Sequence, residues 1–328
     1  MNKNTTRRTL ISGLASVALL GAATMAPALA QGFPNKPIKF VVPFPPGSAT
    51  DTSARYFAKK LSEMTSQPVI IDNKAGGNSF IAVRAVLAAP ADGYTVFIGS
   101  NSSLAVNAAL FKSLPYDPIA DFSPLTMMVR APAVIIVPGT STHTTLPELI
   151  AAAKAKPGAL NYAHGSAGYQ LMAELFNESA NVRTHGVPFK SATDSVVAVA
   201  SDTVQFAFVE ITSAQELVKS GKLRALAIAS TNRVSVLPSV PTSAEAGLPG
   251  FSAYVWVAAM VSSKTPKAET EKLAALMTKI KNLPETREFY ERIGGEVMRG
   301  GPEEMRAFQN AEIDLWKRIA VKAKIEQQ

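Results

Sequence analysis

Short apolar runs alternate along the chain with segments whose apolar residues recur at helical spacing. Residues 38–42 form an apolar run, interrupted by Lys39, that ends at a Pro/Gly-rich turn, and this pattern predicts a buried strand. Residues 51–66 carry apolar side chains on one helical face, which predicts a helix. Strands that alternate with helices in this way favour an α/β fold, with parallel sheets covered by helices on both faces.

The alternation forms two successive α/β units, which meet near Pro132. Further strands are predicted at 69–71, 95–98, 133–137, 160–163, 185–188, 204–209, 226–229 and 253–261. Further helices are predicted at 80–89, 146–156, 170–180, 191–200, 212–220, 267–282, 286–293 and 302–324. Two such units in 328 residues predict two lobes. In sheets of this kind a ligand binds outside the carboxyl ends of the strands, where helices begin.

The first thirty residues have the composition of an export signal. Positive residues at the start, Arg7 and Arg8 among them, precede an apolar stretch that ends at the small-x-small site Ala28-Leu29-Ala30. The two arginines also resemble a twin-arginine signal, so both export routes stay open. An uncleaved membrane anchor is the alternative, but Gly, Ser and Thr interrupt the apolar stretch. We therefore expect a signal peptide at 1–30 and a mature protein in the periplasm.

Composition excludes several kinds of chemistry. The chain has no Cys, which removes disulfides, thiolate metal sites and Cys nucleophiles. Its formal net charge of +8 is spread along the chain and favours anionic partners in general. The three His residues have no metal-ligand spacing, and the chain lacks both a hydrolase elbow and a phosphate-binding Gly motif. We expect no catalysis, no metal and no cofactor.

Two strand-to-helix loops, one in each unit, could hold an anion. A helix start offers unpaired N–H groups and the positive end of the helix dipole, so it can bind a carboxylate without Arg or Lys. A plain turn with a capped helix is the alternative for either loop alone, whereas the pair favours a ligand shared between them. The residues predicted to bind it in these loops are Phe44, Pro45, Pro46, Gly47, Ser48, Ala49, Thr50, His164, Gly165, Ser166, Ala167, Gly168 and Tyr169.

Other candidate ligand contacts follow strands or lie near them. Ser100 and Asn101 come after the third strand and could bond to a bound group, although they could equally cap a helix. Phe44, Tyr169, Phe189 and Trp256 fall at strand ends or in loops, where an aromatic residue packs in the core or contacts a flat apolar ligand.

Several motifs together resemble a known family, the periplasmic receptors of tripartite tricarboxylate transporters, often called Bug receptors. The most distinctive is PSVPTSAEAGLPG at 238–250. The other matching segments are Val42-Pro43-Phe44-Pro45-Pro46-Gly47 with Asp51, Ala91-Asp92-Gly93-Tyr94-Thr95, Leu114-Pro115-Tyr116-Asp117-Pro118, Lys156-Pro157-Gly158, Leu160-Asn161-Tyr162, Val187-Pro188-Phe189-Lys190 and Gly221-Lys222-Leu223-Arg224-Ala225-Leu226.

The resemblance implies an α/β, two-lobed type II periplasmic binding protein fold that closes on its ligand like a Venus flytrap. Lobe 1 would comprise 31–130 and 251–328, and lobe 2 would comprise 131–250. The ligand would be a small carboxylate, gripped by backbone N–H groups and waters at 45–50 and 165–169. The partners implied are the membrane subunits of a tripartite transporter, with no nucleic acid, and we expect a monomer.

The chain departs from the family pattern in ways that affect the ligand. Ser48 and Gln170 stand where a Gly and a His are common, and the second loop is shorter than usual. Val209 stands where the family has an acid, with Glu210 beside it. An apolar Val209 near Tyr169, Phe189 and Trp256 favours a dicarboxylate, with aromatic acids such as terephthalate included. If Glu210 instead reaches the cleft, the ligand is expected to be nicotinate-like, nicotinamide-like or an amino acid.

A different class of function stays open at this point. A sensing protein that presents its loaded form to a two-component histidine kinase would have the same export signal and fold. An exported enzyme is the third possibility, and the lack of a catalytic set argues against it.

Overall fold

The computed structural model describes residues 32–328. Residues 36–328 form one compact unit, and 32–35 belong to a separate N-terminal unit. The signal peptide expected at 1–30 lies outside the described residues. Among the described residues, no helix combines the length and the apolar character needed to cross a membrane.

A mixed sheet of ten strands organises the compact unit, in the order β2-β1-β3-β9-β4-β7-β5-β6, with β8 and β10 paired to β4 outside this path. β1 is parallel to β2 and β3, and β5 is parallel to β6 and β7, as predicted for the two α/β units. The strands are β1 Ile38–Val42, β2 Val69–Asn73, β3 Thr95–Ser100, β4 Phe122–Pro138, β5 Asn161–His164, β6 His185–Pro188, β7 Phe206–Glu210, β8 Leu223–Ile228, β9 Tyr254–Ser262 and β10 Glu296–Val297.

The sheet is not purely parallel, which corrects the prediction from sequence. β9 runs antiparallel to both β3 and β4, and β4 runs antiparallel to β7 and β8. β4 has 17 residues, of which the sequence predicted only the segment 133–137. The rest of β4 was not predicted because it contains Pro124 and Pro132, and Pro cannot donate a backbone hydrogen bond to a neighbouring strand. The register shifts just after Pro124, and this irregularity lets the strand continue.

Within residues 32–328, ten α-helices cover the sheet. Three of them start at a Ser cap directly after a parallel strand: Ser48, Ser166 and Ser191 accept hydrogen bonds from Asp51, Tyr169 and Asp194 N–H groups. The helices are α1 Ala49–Thr65, α2 Phe80–Leu87, α3 Asn107–Leu110, α4 Leu146–Ala155, α5 Ala167–Ala180, α6 Ala192–Ala200, α7 Ile211–Lys219, α8 Lys267–Lys281, α9 Pro284–Glu291 and α10 Pro302–Lys322.

A π-helical turn at Ser102–Val106 follows β3 and leads into α3. The sequence did not predict it, because its Ser and Asn residues suit a cap or a loop equally well. Turns of this kind are frequent at functional sites. This one lies beside the start of α5, where the Gly168 N–H donates to Ser102 Oγ at 3.1 Å.

Candidate functional site

A cavity with about 530 Å³ of atom-free space, part of it open to solvent, lies at the carboxyl ends of the parallel strands. We call it the inner cavity. It is lined by Phe44, Pro45, Pro46, Ser48, Ala49, Thr50, Ser100, Asn101, Ser102, Gly165, Ser166, Gly168, Tyr169, Ser191, Ala192, Thr193, Glu210 and Val255.

Three helix starts contribute to this wall. Ala49 opens α1, Gly168 lies in the first turn of α5, and Ala192 opens α6. Among the described residues, the lining contains no Lys, Arg or His. An anion in the inner cavity would therefore be held by N–H groups, hydroxyls and helix dipoles rather than by a cationic side chain.

Asn101 supplies an unpaired donor beside these helix starts. Its side chain is buried, and no hydrogen bond reaches Nδ2 from anywhere in residues 32–328. A buried donor without a partner is costly, so a ligand that accepts from Nδ2 would remove that cost. A Cβ at Gly168 would lie 2.9 Å from both Asn101 Nδ2 and Ser102 Oγ. A glycine at this position is therefore what allows α5 to start so close to the π-helical turn.

The first loop is held in shape by Asp51. Its carboxylate accepts hydrogen bonds from the Gly47 N–H, from Arg55 Nε and from Asn73 Nδ2, each at 2.9 Å. Burial alone would raise the pKa of Asp51, but the hydrogen bonds from Arg55, Gly47 and Asn73 outweigh it and lower the pKa. Gly47 therefore shapes the loop, with a φ of 86°, and its N–H faces Asp51 instead of the cavity.

Glu210 is the acidic side chain of the inner cavity. It is 3 % exposed and lies at the end of β7. The Tyr169 hydroxyl donates to its carboxylate, and the Glu210 N–H donates to the same hydroxyl oxygen at 3.1 Å. Burial raises the pKa of Tyr169 well above its ordinary value, and the charge of Glu210 adds to this effect, so the phenol remains a donor. The hydrogen bond from Tyr169 reaches Oε2 of the carboxylate.

Two sequence-predicted site residues lie elsewhere. Val209 is buried in the core with Val134 and Ile228, because successive strand residues point to opposite faces and Glu210 takes the cavity side. Trp256 is 1 % exposed, and its Nε1 donates to Glu312 at 2.8 Å. Its neighbour Val255 lines the inner cavity instead.

Three other predicted residues, His164, Ala167 and Phe189, line a second and more open space of about 1480 Å³. We call it the outer chamber. Burial lowers the pKa of His164 to about 4, so its imidazole is neutral at the pH of most cells. The outer chamber adjoins the inner cavity, since both are lined by Phe44, Pro45, Ser102, Gly165 and Ser166.

Sequence reasoning missed some residues of the inner cavity. Ser191, Ala192 and Thr193 could have been found, because the sequence predicted a helix that starts after a strand at this point. Ser102 lies in the Ser/Asn segment after β3 from which only Ser100 and Asn101 were chosen, because the π-helical turn that orients it was not predicted. Val255 carries no local signal, because its position depends on the register of β9.

Comparison with known sequences gives a consistent result. The profile described as "Tripartite tricarboxylate transporter family receptor" (TctC) matches residues 53–325. The chain is 34 % identical to Protein BugT of Bordetella pertussis over 320 residues, which cover 95 % of this chain and 96 % of BugT. It is also 33 % identical to a UPF0065 protein from the tcbD-tcbE intergenic region of Pseudomonas sp. strain P51. That alignment spans 325 residues and covers 98 % of this chain and 96 % of the relative.

Solved structures agree with this comparison. The protein Rpa4515 of R. palustris, solved with adipate, has a TM-score of 0.84 and 31 % identity over 89 % of this chain and 98 % of its own. MatC from Rhodopseudomonas palustris, solved with bound malate, has a TM-score of 0.80 and 29 % identity over 88 % and 99 %. The periplasmic binding protein BugD has a TM-score of 0.82 and 26 % identity over 90 % and 100 %. The fold is therefore the α/β periplasmic binding protein fold.

Proposed function

This chain belongs to the tripartite tricarboxylate transporter receptor family, and we propose that it binds a small carboxylate in the inner cavity and delivers it to the membrane subunits of such a transporter. One observation carries the ligand class. Helix starts and the unpaired Asn101 amide surround a cavity whose lining has no cationic side chain. That arrangement suits an oxyanion that accepts several hydrogen bonds.

We propose that the ligand lies between two lobes, with lobe 1 at 31–130 and 251–328 and lobe 2 at 131–250. The pairing of the strands supports this division, because β1 to β3 and β9 lie on one side of β4 and β5 to β7 on the other. Residues of both proposed lobes line the inner cavity, as Ala49 and Gly168 illustrate. Closure of the lobes would then bury the ligand.

Glu210 restricts the range of ligands that we propose for the inner cavity. The expectation of an apolar or aromatic dicarboxylate depended on Val209 lying in the cleft and Glu210 lying outside it. In the structure Glu210 lines the inner cavity and Val209 lies in the core. A carboxylate in the wall of the inner cavity favours a ligand that donates a hydrogen bond to it. We therefore propose a carboxylate flanked by a hydroxyl, amide or amine group. Hydroxy acids, amino acids and nicotinamide-like compounds all belong to this class.

A dicarboxylate without such a donor is the second candidate. The observation that favours it is the similarity to a protein solved with adipate. Two carboxylates close together repel each other, so this ligand would have to bind with its carboxylates at a distance from Glu210. Terephthalate belongs with this candidate.

Matched ligands test the proposal by calorimetric titration of the chain from residue 31. Malate is succinate with one added hydroxyl, so the pair isolates the donor. We expect malate to bind at least about tenfold more tightly, the effect of one hydrogen bond to a charged group. Glu210→Gln should remove most of that difference, whereas Glu216→Gln, which removes an exposed charge on α7, should not. Equal affinity for both acids in the wild-type protein would refute the role of Glu210, and no binding of any acid would refute the proposed ligand class.

A further inference from the structure

The outer chamber has a lining that differs in most residues from that of the inner cavity. Its apolar wall includes Phe44, Phe111 and Phe189, and its atom-free space is larger than that of the inner cavity. A carboxylate held at the helix starts would still leave this space beside it. The body of a longer ligand could extend from the inner cavity into the outer chamber along Phe44 and Pro45, which line both spaces together with the polar pair Ser102 and Ser166.

One charged side chain, that of Lys190, lines the outer chamber. His164 is the other basic residue there, and burial keeps its imidazole neutral. Lys190 is exposed, and it forms no ion pair with any group in residues 32–328. Its charge is therefore available to an incoming ligand.

The position of Lys190 is fixed by its neighbours. The Phe189 N–H donates to the His164 carbonyl at 2.9 Å, which continues the β5–β6 pairing beyond Pro188. Ser191 follows Lys190 directly and caps α6, whose start lines the inner cavity. Lys190 therefore lies one residue from a wall of the inner cavity while its side chain lines the outer chamber.

We propose that the outer chamber receives the apolar body and a second anionic group of the ligand, and that Lys190 pairs with that group. This inference rests on the proposed function, because it takes the first carboxylate to lie in the inner cavity. The ligand class that follows is an elongated dicarboxylate with an apolar middle, whose first carboxylate has the proposed hydroxyl, amide or amine group beside it. Lys190 is then a specificity-determining residue that favours diacids over monoacids of equal length.

Matched acid pairs isolate the second anionic group. Adipate and hexanoate differ only at the distal end, and terephthalate and benzoate form the aromatic equivalent. Calorimetry should give a diacid preference of about 3- to 10-fold in the wild-type protein, a modest value because Lys190 is exposed. Lys190→Gln should reduce the preference to about 1, and Lys190→Glu should reverse it. Lys154→Gln, an exposed change of equal charge on α4, should keep it.

The outcomes separate the two proposals. A diacid preference that survives in Lys190→Gln, or a wild-type protein that binds monoacids as well as diacids, would overturn the role of Lys190. Binding of succinate and malate alone, with every longer acid rejected, would overturn the outer chamber and leave the proposed function in place. If no carboxylate of any length binds, the proposed function fails and this inference fails with it.

Discussion

Gly165 offers the sharpest test of the site geometry. A Cβ added there would lie 2.0 Å from the Ser191 carbonyl carbon, 2.2 Å from its oxygen and 2.3 Å from the Ala192 nitrogen. All three are backbone atoms, so no side chain can turn aside. Ordinary contact begins at 3.4 Å, and Gly165→Ala must therefore push the start of α6 away by about 1.4 Å. We expect a loss of roughly 1–3 kcal/mol or more in the free energy of unfolding, the usual cost of overpacking.

The same displacement should reduce ligand affinity, because α5 and α6 would no longer present their N–H groups to one point. Loss of one hydrogen bond to a charged ligand group costs about 1.5–3 kcal/mol, which is roughly 10- to 100-fold in affinity. Urea unfolding gives the stability, and calorimetry with malate gives the affinity. Gly301→Ala is the matched control, since its Cβ would meet only Glu304 Oε2 at 3.5 Å. If Gly165→Ala has wild-type stability and affinity, the close approach of the two loops is not essential to the site.

Three further predictions concern buried groups near the site or behind it. Tyr169→Phe should lower the free energy of unfolding at neutral pH by about 1–3 kcal/mol, because Glu210 then stays buried without its donor; unchanged urea midpoints would contradict this. Burial raises the pKa of Glu312, although hydrogen bonds from two Trp N–H groups oppose this shift. The contribution of Glu312 to stability is therefore present at low pH and is lost as pH rises through the raised pKa. Glu312→Gln should flatten that decline in urea unfolding between acidic and neutral pH, and a parallel decline in both proteins would refute it. For Asp51 the pKa is lowered, so its contribution is present above the ordinary pKa and is lost as pH falls through the lowered value. Asp51→Asn should therefore cost stability mainly at neutral pH, and an equal cost under strongly acidic conditions would contradict the reasoning.

The loops of the site could be predicted from sequence because their chemistry is local. Ser48 and Ser166 each stand between a strand and a helix, and a Ser at that point caps a helix whatever its tertiary surroundings. Gly165 was also predicted, although its physical role is close backbone packing against Ser191. The parallel units were predictable for the same reason, since short strands and helices alternate clearly along the chain.

The errors arose where the answer depends on strand register. Val209 was expected in the cleft but lies in the core, whereas Glu210, a candidate whose orientation the sequence left open, lines the cavity. Trp256 was also expected there, and its neighbour Val255 lines the cavity instead. Both are displacements of one residue, and one residue reverses the face of a strand. Continuous apolar strands such as β9 carry no alternation that would reveal which side chains point inward.

The long strand β4 also has a consequence for how the protein folds. At roughly 3.3 Å per residue its 17 residues extend for about 55 Å. The first part of β4 pairs with β9, and its last part pairs with β7 and β8. Both halves of the sheet therefore depend on hydrogen bonds to the same strand. Melting one half would expose an unpaired edge in the other. The two halves should consequently unfold in a single cooperative transition, and neither should persist as an independent folded fragment.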